Sequence, residues 1–315
     1  MKHVFITGVA GFIGSNLART MLDQGYKVSG IDNFDTFYDP AIKRKAVARL
    51  TEYEAFKLRE GDIRHRETLD IIFGSEKPDL VIHLAARAGV RPSIEQPELY
   101  YDVNVTGTLV LLEAMRAAGI KDMLFASSSS VYGNNKKVPF SETDPVDNPI
   151  SPYAATKKAG ELLCYTYHHL YDFNIYCLRF FTVYGQGQRP EMAIQQFGRK
   201  ISEGTPITLF GDGTTRRDYT FISDITAGII ACANNLKGYE IFNLGNSDTI
   251  SLIGLVRSIE DTLGKKAIIE WKPMQAGDVE ITFADISKAR RLLNYSPGYP
   301  VHRGLLRMFS EQGMC

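Results

Sequence analysis

A short run, His3 to Thr7, leads straight into Gly8-Val9-Ala10-Gly11-Phe12-Ile13-Gly14, and a helical pattern follows through Leu17, Ala18, Met21 and Leu22. Few features restrict a fold as strongly. Glycines at this spacing between a strand and a helix allow a tight turn, close approach of a pyrophosphate, and close helix–strand contact. The helix N-terminus receives the anion. A second strand, Lys27 to Ile31, ends at Asp32, about 20 residues on, as such a unit requires. A carboxylate there accepts hydrogen bonds from an adenosine ribose diol and repels a 2′-phosphate, so NAD is favoured over NADP. The plain alternative is a turn aspartate before Asn33. Lys43, Arg44 and Lys45 lie downstream with charges that a phosphate would use, which keeps the cofactor choice open.

Further candidate strands are Phe56-Lys57-Leu58, with Gly61-Asp62-Ile63 at its end, and Leu80 to Leu84, running into Ala85-Ala86-Arg87-Ala88-Gly89. Met123 to Ala126 follows, ending in Ser127-Ser128-Ser129-Ser130, and then Ile175 to Phe180. Between them Asn104-Val105-Thr106-Gly107-Thr108 opens a helical pattern; Asn104 is as readily a satisfied structural amide as a cofactor contact. Strands alternating with helices imply a parallel sheet covered on both faces, with ligands outside the carboxyl ends of the strands. The expected class is therefore α/β: a Rossmann-type doubly wound parallel sheet with a smaller α/β substrate-binding domain. Beyond Thr182 the alternation fails at Gly185-Gln186-Gly187-Gln188-Arg189-Pro190. That places an NAD-binding domain at 1–180 and a substrate domain at 181–315, with 218–246 returning in part to the sheet.

Tyr153 and Lys157, four apart, share one face of a predicted helix. Ser151 and Pro152 read as its N-cap and first residue, and the helix runs to about Tyr171. The first turn sits at the positive end of the helix dipole, and Lys157 adds a full charge, so two influences favour a phenolate at Tyr153. Such a pair alone is common on helix surfaces. Here it follows a dinucleotide signature and a serine cluster in order.

Lys+Arg and Asp+Glu balance at 36 each, so no nucleic-acid or anionic-membrane surface is expected. Four cysteines (Cys164, Cys177, Cys232, Cys315) lack C-x-x-C spacing and read as thiols in a reducing compartment. The opening residues form a strand rather than a secretory signal, and no apolar run reaches membrane-spanning length. A cytoplasmic protein is expected. His168-His169 have no third ligand at metal spacing, so no metal is expected.

Taken together, Thr7-Gly8-x-x-Gly11-x-x-Gly14, Asp32, the serine cluster and Tyr153-x-x-x-Lys157 resemble the extended short-chain dehydrogenase/reductases, nearest their nucleotide-sugar epimerase and dehydratase branch. Leu178-Arg179-Phe180-Phe181-Thr182-Val183-Tyr184-Gly185 and Arg217-Asp218-Tyr219-x-Phe221-Ile222-x-Asp224 resemble that branch's substrate-side motifs. Three details are similar to the UDP-glucuronate 4-epimerases. Ser130 stands where decarboxylases and dehydratases carry glutamate, and Thr182 where UDP-galactose epimerases usually carry asparagine. Gln188-Arg189-Pro190-Glu191-Met192-Ala193 resembles the uronate epimerases' Arg-Pro-Asp-Met-Ala, with Glu for Asp. Met274-Gln275-Ala276-Gly277-Asp278 also fits; it lacks the arginine that many neutral-sugar relatives place before Gly-Asp, leaving a diphosphate to Arg217.

The resemblance implies NAD against Gly8, Gly11, Phe12, Ile13, Gly14, Asp32, Asn33, Asp62, Ile63, Leu84, Ala85, Ala86, Asn104, Ser127, Tyr153 and Lys157. It implies a UDP-sugar against Ser128, Ser129, Ser130, Thr182, Arg189, Met192, Arg217 and Asp278. Tyr153 would take the O4 proton as hydride leaves C4, Ser128 would hydrogen-bond O4, and Lys157 would hold the nicotinamide ribose. The hydride would return to the other face, interconverting UDP-glucuronate and UDP-galacturonate. A 4-keto uronate is a β-keto acid and loses CO₂ when its carboxylate stands perpendicular to the ketone plane; Arg189 is the expected restraint. The alternatives are a UDP-glucose/UDP-galactose-type 4-epimerase, a UDP-glucuronate decarboxylase, and, outside enzymes, an NAD-sensing regulatory protein. A homodimer through the helices near 101–118 and 153–171 is implied as well, although their apolar faces would equally serve to cover their own sheet.

Overall fold

The computed structural model describes residues 2–274 and 279–315. All six strands expected in the amino-terminal half are present: β1 (His3–Thr7), β2 (Lys27–Asp32), β3 (Phe56–Glu60), β4 (Leu80–His83), β5 (Asp122–Ser128) and β6 (Asn174–Phe180). With the Tyr239–Leu244 strand they form a seven-stranded sheet in the order Tyr239–Leu244, β6, β5, β4, β1, β2, β3. β1 pairs in parallel with β2 and β4, β2 with β3, and β4 with β5. The chain builds outward from β1 to β3, then returns to the other side of β1 at β4. At such a reversal the connections leave in opposite directions and open a crevice beyond the strand ends. Every residue of β1 and β4 is buried, as strands covered on both faces require.

The Pro152–Tyr171 helix starts where the sequence places it: Ser151 Oγ accepts from Ala154 N at 3.1 Å, and Pro152 takes the first helical position. Its approach to β5 is set by Gly160, where a Cβ would meet Phe125 Cζ at 2.3 Å. Phe5, Phe73, Leu111, Met115, Phe125, Cys164 and Ile175 belong to one buried cluster that joins the sheet to its covering helices. His168, on the same helix, pairs its Nδ1 with Phe173 O at 2.7 Å and stacks its ring on Tyr239.

The chain divides into two compact units. The first comprises Met1–Gly133, Pro145–Arg179 and Thr226–Phe242 and contains most of the sheet. The second comprises Asn134–Asp144, Phe180–Ile225 and Asn243–Cys315. In it, Tyr219–Phe221 pairs in parallel with Thr182–Tyr184, and Ile250–Ser251 pairs antiparallel with Arg216–Arg217. Of the segment 218–246, only the Tyr239–Leu244 strand joins the large sheet. Asp218, fully buried, organises the second unit by accepting from Asn246 N (2.8 Å), Ser247 N (3.0 Å) and Ala284 N (3.2 Å). Burial pushes its carboxyl up to about 6 against those bonds. Among the described residues no helix is long and apolar enough to cross a membrane, and no cluster of three or more His, Cys, Asp or Glu is placed to hold a metal.

Candidate active site

The carboxyl ends of β1, β2, β3, β4 and β5 carry the glycine loop, Asp32, Asp62, Leu84 and Ser128 respectively. Gly8 N donates to Ile31 O at 2.8 Å and Gly11 N to Gly8 O at 3.0 Å, curling the loop before the Phe12–Asp23 helix. That helix starts at Gly11 with no side-chain cap, so its first N–H groups face an open end. A Cβ on Gly14 would lie 2.2 Å from Gly8 O, a backbone atom that cannot yield. Gly14→Ala should therefore open the loop and abolish dinucleotide binding while the sheet persists, read by loss of nucleotide absorbance from the folded, purified protein.

Asp32 is buried, with Oδ1 accepting from Phe34 N at 2.9 Å and Oδ2 from Ala10 N at 3.1 Å. Burial raises its pKa, opposed chiefly by the Lys43 ammonium at 3.9 Å. Lys43 and Arg44, possible phosphate partners by sequence, are already committed. Lys43 is buried and donates to Asp35 O at 3.1 Å, while Arg44 pairs with Glu60 at 3.2 Å and lies over the Phe34 ring. Asp62 accepts from Asn33 Nδ2 at 2.9 Å and from Arg64 through Nε and the backbone N–H. Burial alone would raise its pKa; the Arg64 bonds overcome this and hold it well below the usual carboxylate range. Ile63 is buried beside it.

Leu84, Ala85 and Ala86 leave β4 as a loop stitched to β1, with Leu84 N donating to Thr7 O at 3.2 Å and Ala85 N to Thr7 Oγ1 at 3.1 Å. His83 behind them is fully buried, bonded at Nδ1 to Thr7 Oγ1 (2.7 Å) and at Nε2 to Thr108 Oγ1 (3.0 Å). Thr108 Oγ1 itself donates to Asn104 O, so Nε2 carries the proton. Burial, then Lys157, keeps this ring neutral with a pKa of about 3.

Two residues expected at the cofactor turn inward. Asn104 lies in a π-helical turn, Asp102–Thr106, rather than in a plain helix start. Its Oδ1 accepts from Arg87 N (2.7 Å), and its Nδ2 donates to Arg87 O and Thr156 Oγ1, both at 3.0 Å. It clamps the β4 loop to the Tyr153 helix. Ser127 Oγ likewise donates to Glu161 Oε1 at 2.6 Å. Glu161 sits one further turn below Tyr153 and Lys157 and forms a fully buried bidentate pair with Arg179, at 2.8 and 2.9 Å. Arg179 also donates to Tyr132 OH at 3.0 Å. Neither Glu161 nor Arg179 announces this pairing in the sequence.

Ser128 ends β5 and starts the 3₁₀ turn Ser129–Tyr132: its Oγ accepts from Ser130 N at 3.1 Å and donates to Ser130 Oγ at 3.2 Å. Lys157 is buried, donates from Nζ to Ala126 O at 2.7 Å, and lies 6.0 Å from the Tyr153 ring centre. Burial pulls its pKa down to about 8, so it remains an ammonium at neutral pH. Tyr153 meets Tyr100 edge-on at 6.3 Å and 85°, and Tyr100 OH donates to Ala88 O at 2.8 Å. A phenol, an ammonium and a hydroxyl relay thus share the sheet end that carries the glycine loop and Asp32. That set suits proton exchange at a carbinol whose hydride leaves to a dinucleotide.

In the second unit, Thr182 N donates to Asp218 O at 3.1 Å, opposite Tyr219 in the short ladder. Arg189 pairs with Glu191 at 3.2 Å and approaches Met192 Sδ at 3.5 Å. Arg217 donates to Arg216 O at 2.9 Å. Asp278 lies outside the described residues.

The model of the NAD dependent epimerase/dehydratase family matches residues 4–245. A UDP-glucuronate 4-epimerase of Thermodesulfobacterium geofontis is 47% identical over 308 residues, covering 98% of this chain and 95% of its own. Among solved structures, the UDP-glucuronic acid 4-epimerase of Bacillus cereus with UDP-glucuronic acid and NAD superposes with a TM-score of 0.91 at 35% identity, covering 98% of each chain. The UDP-glucose 4-epimerase of Thermotoga maritima with UDP-glucose gives the same TM-score at 29% identity, covering 99% and 98%. Backbone likeness therefore does not separate the two sugars, but the full-length match, the glycine loop, Asp32 and the Tyr153–Lys157 pair agree on one assignment: the chain belongs to the NAD dependent epimerase/dehydratase family.

Proposed function

We propose that the chain is an NAD-dependent UDP-glucuronate 4-epimerase, interconverting UDP-glucuronate and UDP-galacturonate. The observation that carries this reading is the hydroxyl pair Ser128–Ser130 at the end of β5, on the sheet end that also carries Tyr153 and Lys157. No carboxylate takes the Ser130 position, where decarboxylating relatives would carry glutamate. The 47% identity with a uronate epimerase supports the sugar.

The cofactor fits the residues present: the side-chain-free loop at Gly14 for the pyrophosphate and the buried Asp32 carboxylate for the adenosine ribose. Gly8, Gly11, Phe12, Ile13, Asn33, Asp62, Leu84 and Ala85 would surround it. NAD supplies a reversible hydride acceptor for C4 of the sugar. Tyr153, as phenolate, takes the O4 proton, and the Lys157 ammonium and the helix N-terminus stabilise that phenolate. Ser128 Oγ hydrogen-bonds O4 and the carbonyl that develops there. After the 4-keto sugar turns over, Tyr153 returns the proton.

Ser129, Thr182 and Met192 would line the sugar, and Arg217 would take the diphosphate. Arg189 would exchange Glu191 for the substrate carboxylate and keep it out of the decarboxylating alignment. Arg189→Ala should lower kcat/KM for UDP-glucuronate by about 10- to 100-fold, the worth of a charge-assisted bond of about 1.5–3 kcal/mol. UDP-glucose binding should be unaffected and some UDP-pentose should form; equal loss on both sugars would remove this role.

A homodimer fits the exposed Tyr101, Leu109, Leu162 and Tyr165 on the helical surface. Three buried free thiols, Cys164, Cys177 and Cys232, suit a cytoplasmic location. The deciding experiment is incubation of purified protein with UDP-glucuronate and no added NAD, followed by NMR. UDP-galacturonate is expected. A UDP-xylose product, or turnover of UDP-glucose alone, would replace this reading with a decarboxylase or a neutral-sugar epimerase.

A further inference from the structure

β2 and β4 are not neighbours in the sheet: β1 lies between them, and the glycine loop leaves from its end. With strands about 4.8 Å apart, residues just past β2 and β4 face each other across roughly 10 Å of crevice. Arg87 follows β4 and Asp35 follows β2, and their side chains meet over that gap, Nη1 to Oδ1, at 2.6 Å. Both ends are anchored. The Arg87 backbone is gripped at N and O by Asn104. Asp35 is held at its carbonyl by Lys43 and accepts from Phe37 N at 2.8 Å. The guanidinium also lies 5.0 Å from the Phe37 ring centre. Its Nε is buried with no protein acceptor among the described residues, which leaves a charge-assisted donor for an anion.

We propose that Arg87 and Asp35 form a strap across the cofactor crevice that sets how long NAD stays bound. The inference rests on the NAD site argued above. An epimerase returns the hydride it removes, so cofactor exchange is not part of its cycle and slow release carries no penalty. A dinucleotide seated on the glycine loop and Asp32 would have this bridge across its exit. The two residues are positioning residues: they act on the cofactor's escape through the loop they tie down.

The test is exchange of bound NAD for isotopically labelled NAD in the purified holoenzyme. Asp35→Asn keeps the Phe37 N acceptor but loses the charge, and Arg87→Met keeps the stem but loses the guanidinium. Each should release NAD at least tenfold faster than wild type. Arg87→Lys retains one charge and should fall between, while the exchanged pair Arg87→Glu/Asp35→Arg should recover slow release. NAD-free melting temperatures identify a variant that fails by unfolding, and the remaining variants then decide. Release within twofold of wild type in both Asp35→Asn and Arg87→Met would overturn the strap while leaving the NAD site intact. Wild-type protein that carries and takes up no NAD would overturn both.

Discussion

Tyr153→Phe should reduce epimerisation by about 10²- to 10⁴-fold, the range over which a positioned general acid–base group contributes. The substitution removes the phenol oxygen and keeps the ring. The Tyr153 ring contributes an edge-on contact with Tyr100, which phenylalanine repeats, and the helix cap at Ser151 and the Lys157–Ala126 bond do not involve the phenol. Bound NAD and UDP-sugar affinity should therefore survive while turnover collapses, a kcat effect with little change in binding. Ser128→Ala should cost less, because Ser130 Oγ stands 3.2 Å from Ser128 Oγ and offers a second donor. Steady-state rates with UDP-glucuronate and equilibrium binding of the same sugar are the two measurements required. If the phenylalanine variant kept more than about a tenth of wild-type turnover, the base would have to be sought elsewhere.

What the sequence made legible was local. The glycine loop, Asp32 at the end of β2 and the Ser151-Pro152 start of the Tyr153 helix are contiguous signals whose meaning does not depend on distant partners, and each appears at its expected position. Ser127, Asn104 and Arg179 show where such reading ends. Each is a polar residue in a stretch that resembles a ligand-contacting motif, yet each turns to a protein partner far away in sequence: Glu161 for Ser127 and Arg179, and Arg87 and Thr156 for Asn104. A one-dimensional pattern gives residue type and spacing, not the direction of a side chain. The π-helical turn at Asp102–Thr106 was equally invisible, because it uses the same residue types as an ordinary helix start. Arg64, Arg87 and His83 carry no motif of their own and acquire their roles only when β1, β2, β3 and β4 bring their loops together.

The largest stability effect should come from the buried pair behind the serine turn, and its pH dependence should differ according to which partner is removed. Glu161 and Arg179 are each 1% exposed. Taking away one partner leaves a buried charge uncompensated, at a cost of about 3–5 kcal/mol, or roughly 10 °C in melting temperature. In Glu161→Gln the stranded group is a guanidinium that cannot shed its proton, so the loss should be constant across pH 5–8. In Arg179→Met the stranded group is a carboxyl, which relieves its burial by taking up a proton. The destabilisation is therefore smallest in acid, where the carboxyl is neutral, and grows as pH rises and a buried charge must be held without a partner. Arg179→Met should consequently approach wild-type stability in acid and fall away from it near neutrality, with Lys158 at 3.8 Å softening the fall. Replacing both, Glu161→Leu with Arg179→Met, should restore most of the stability while untethering Tyr132 and freeing the Ser127 hydroxyl. Thermal melts of the four proteins between pH 5 and 8 would test this directly. Parallel pH dependence in the two single variants would mean that the carboxyl at position 161 finds another partner once Arg179 is gone, and that the pair is not what holds the serine turn beside Tyr153.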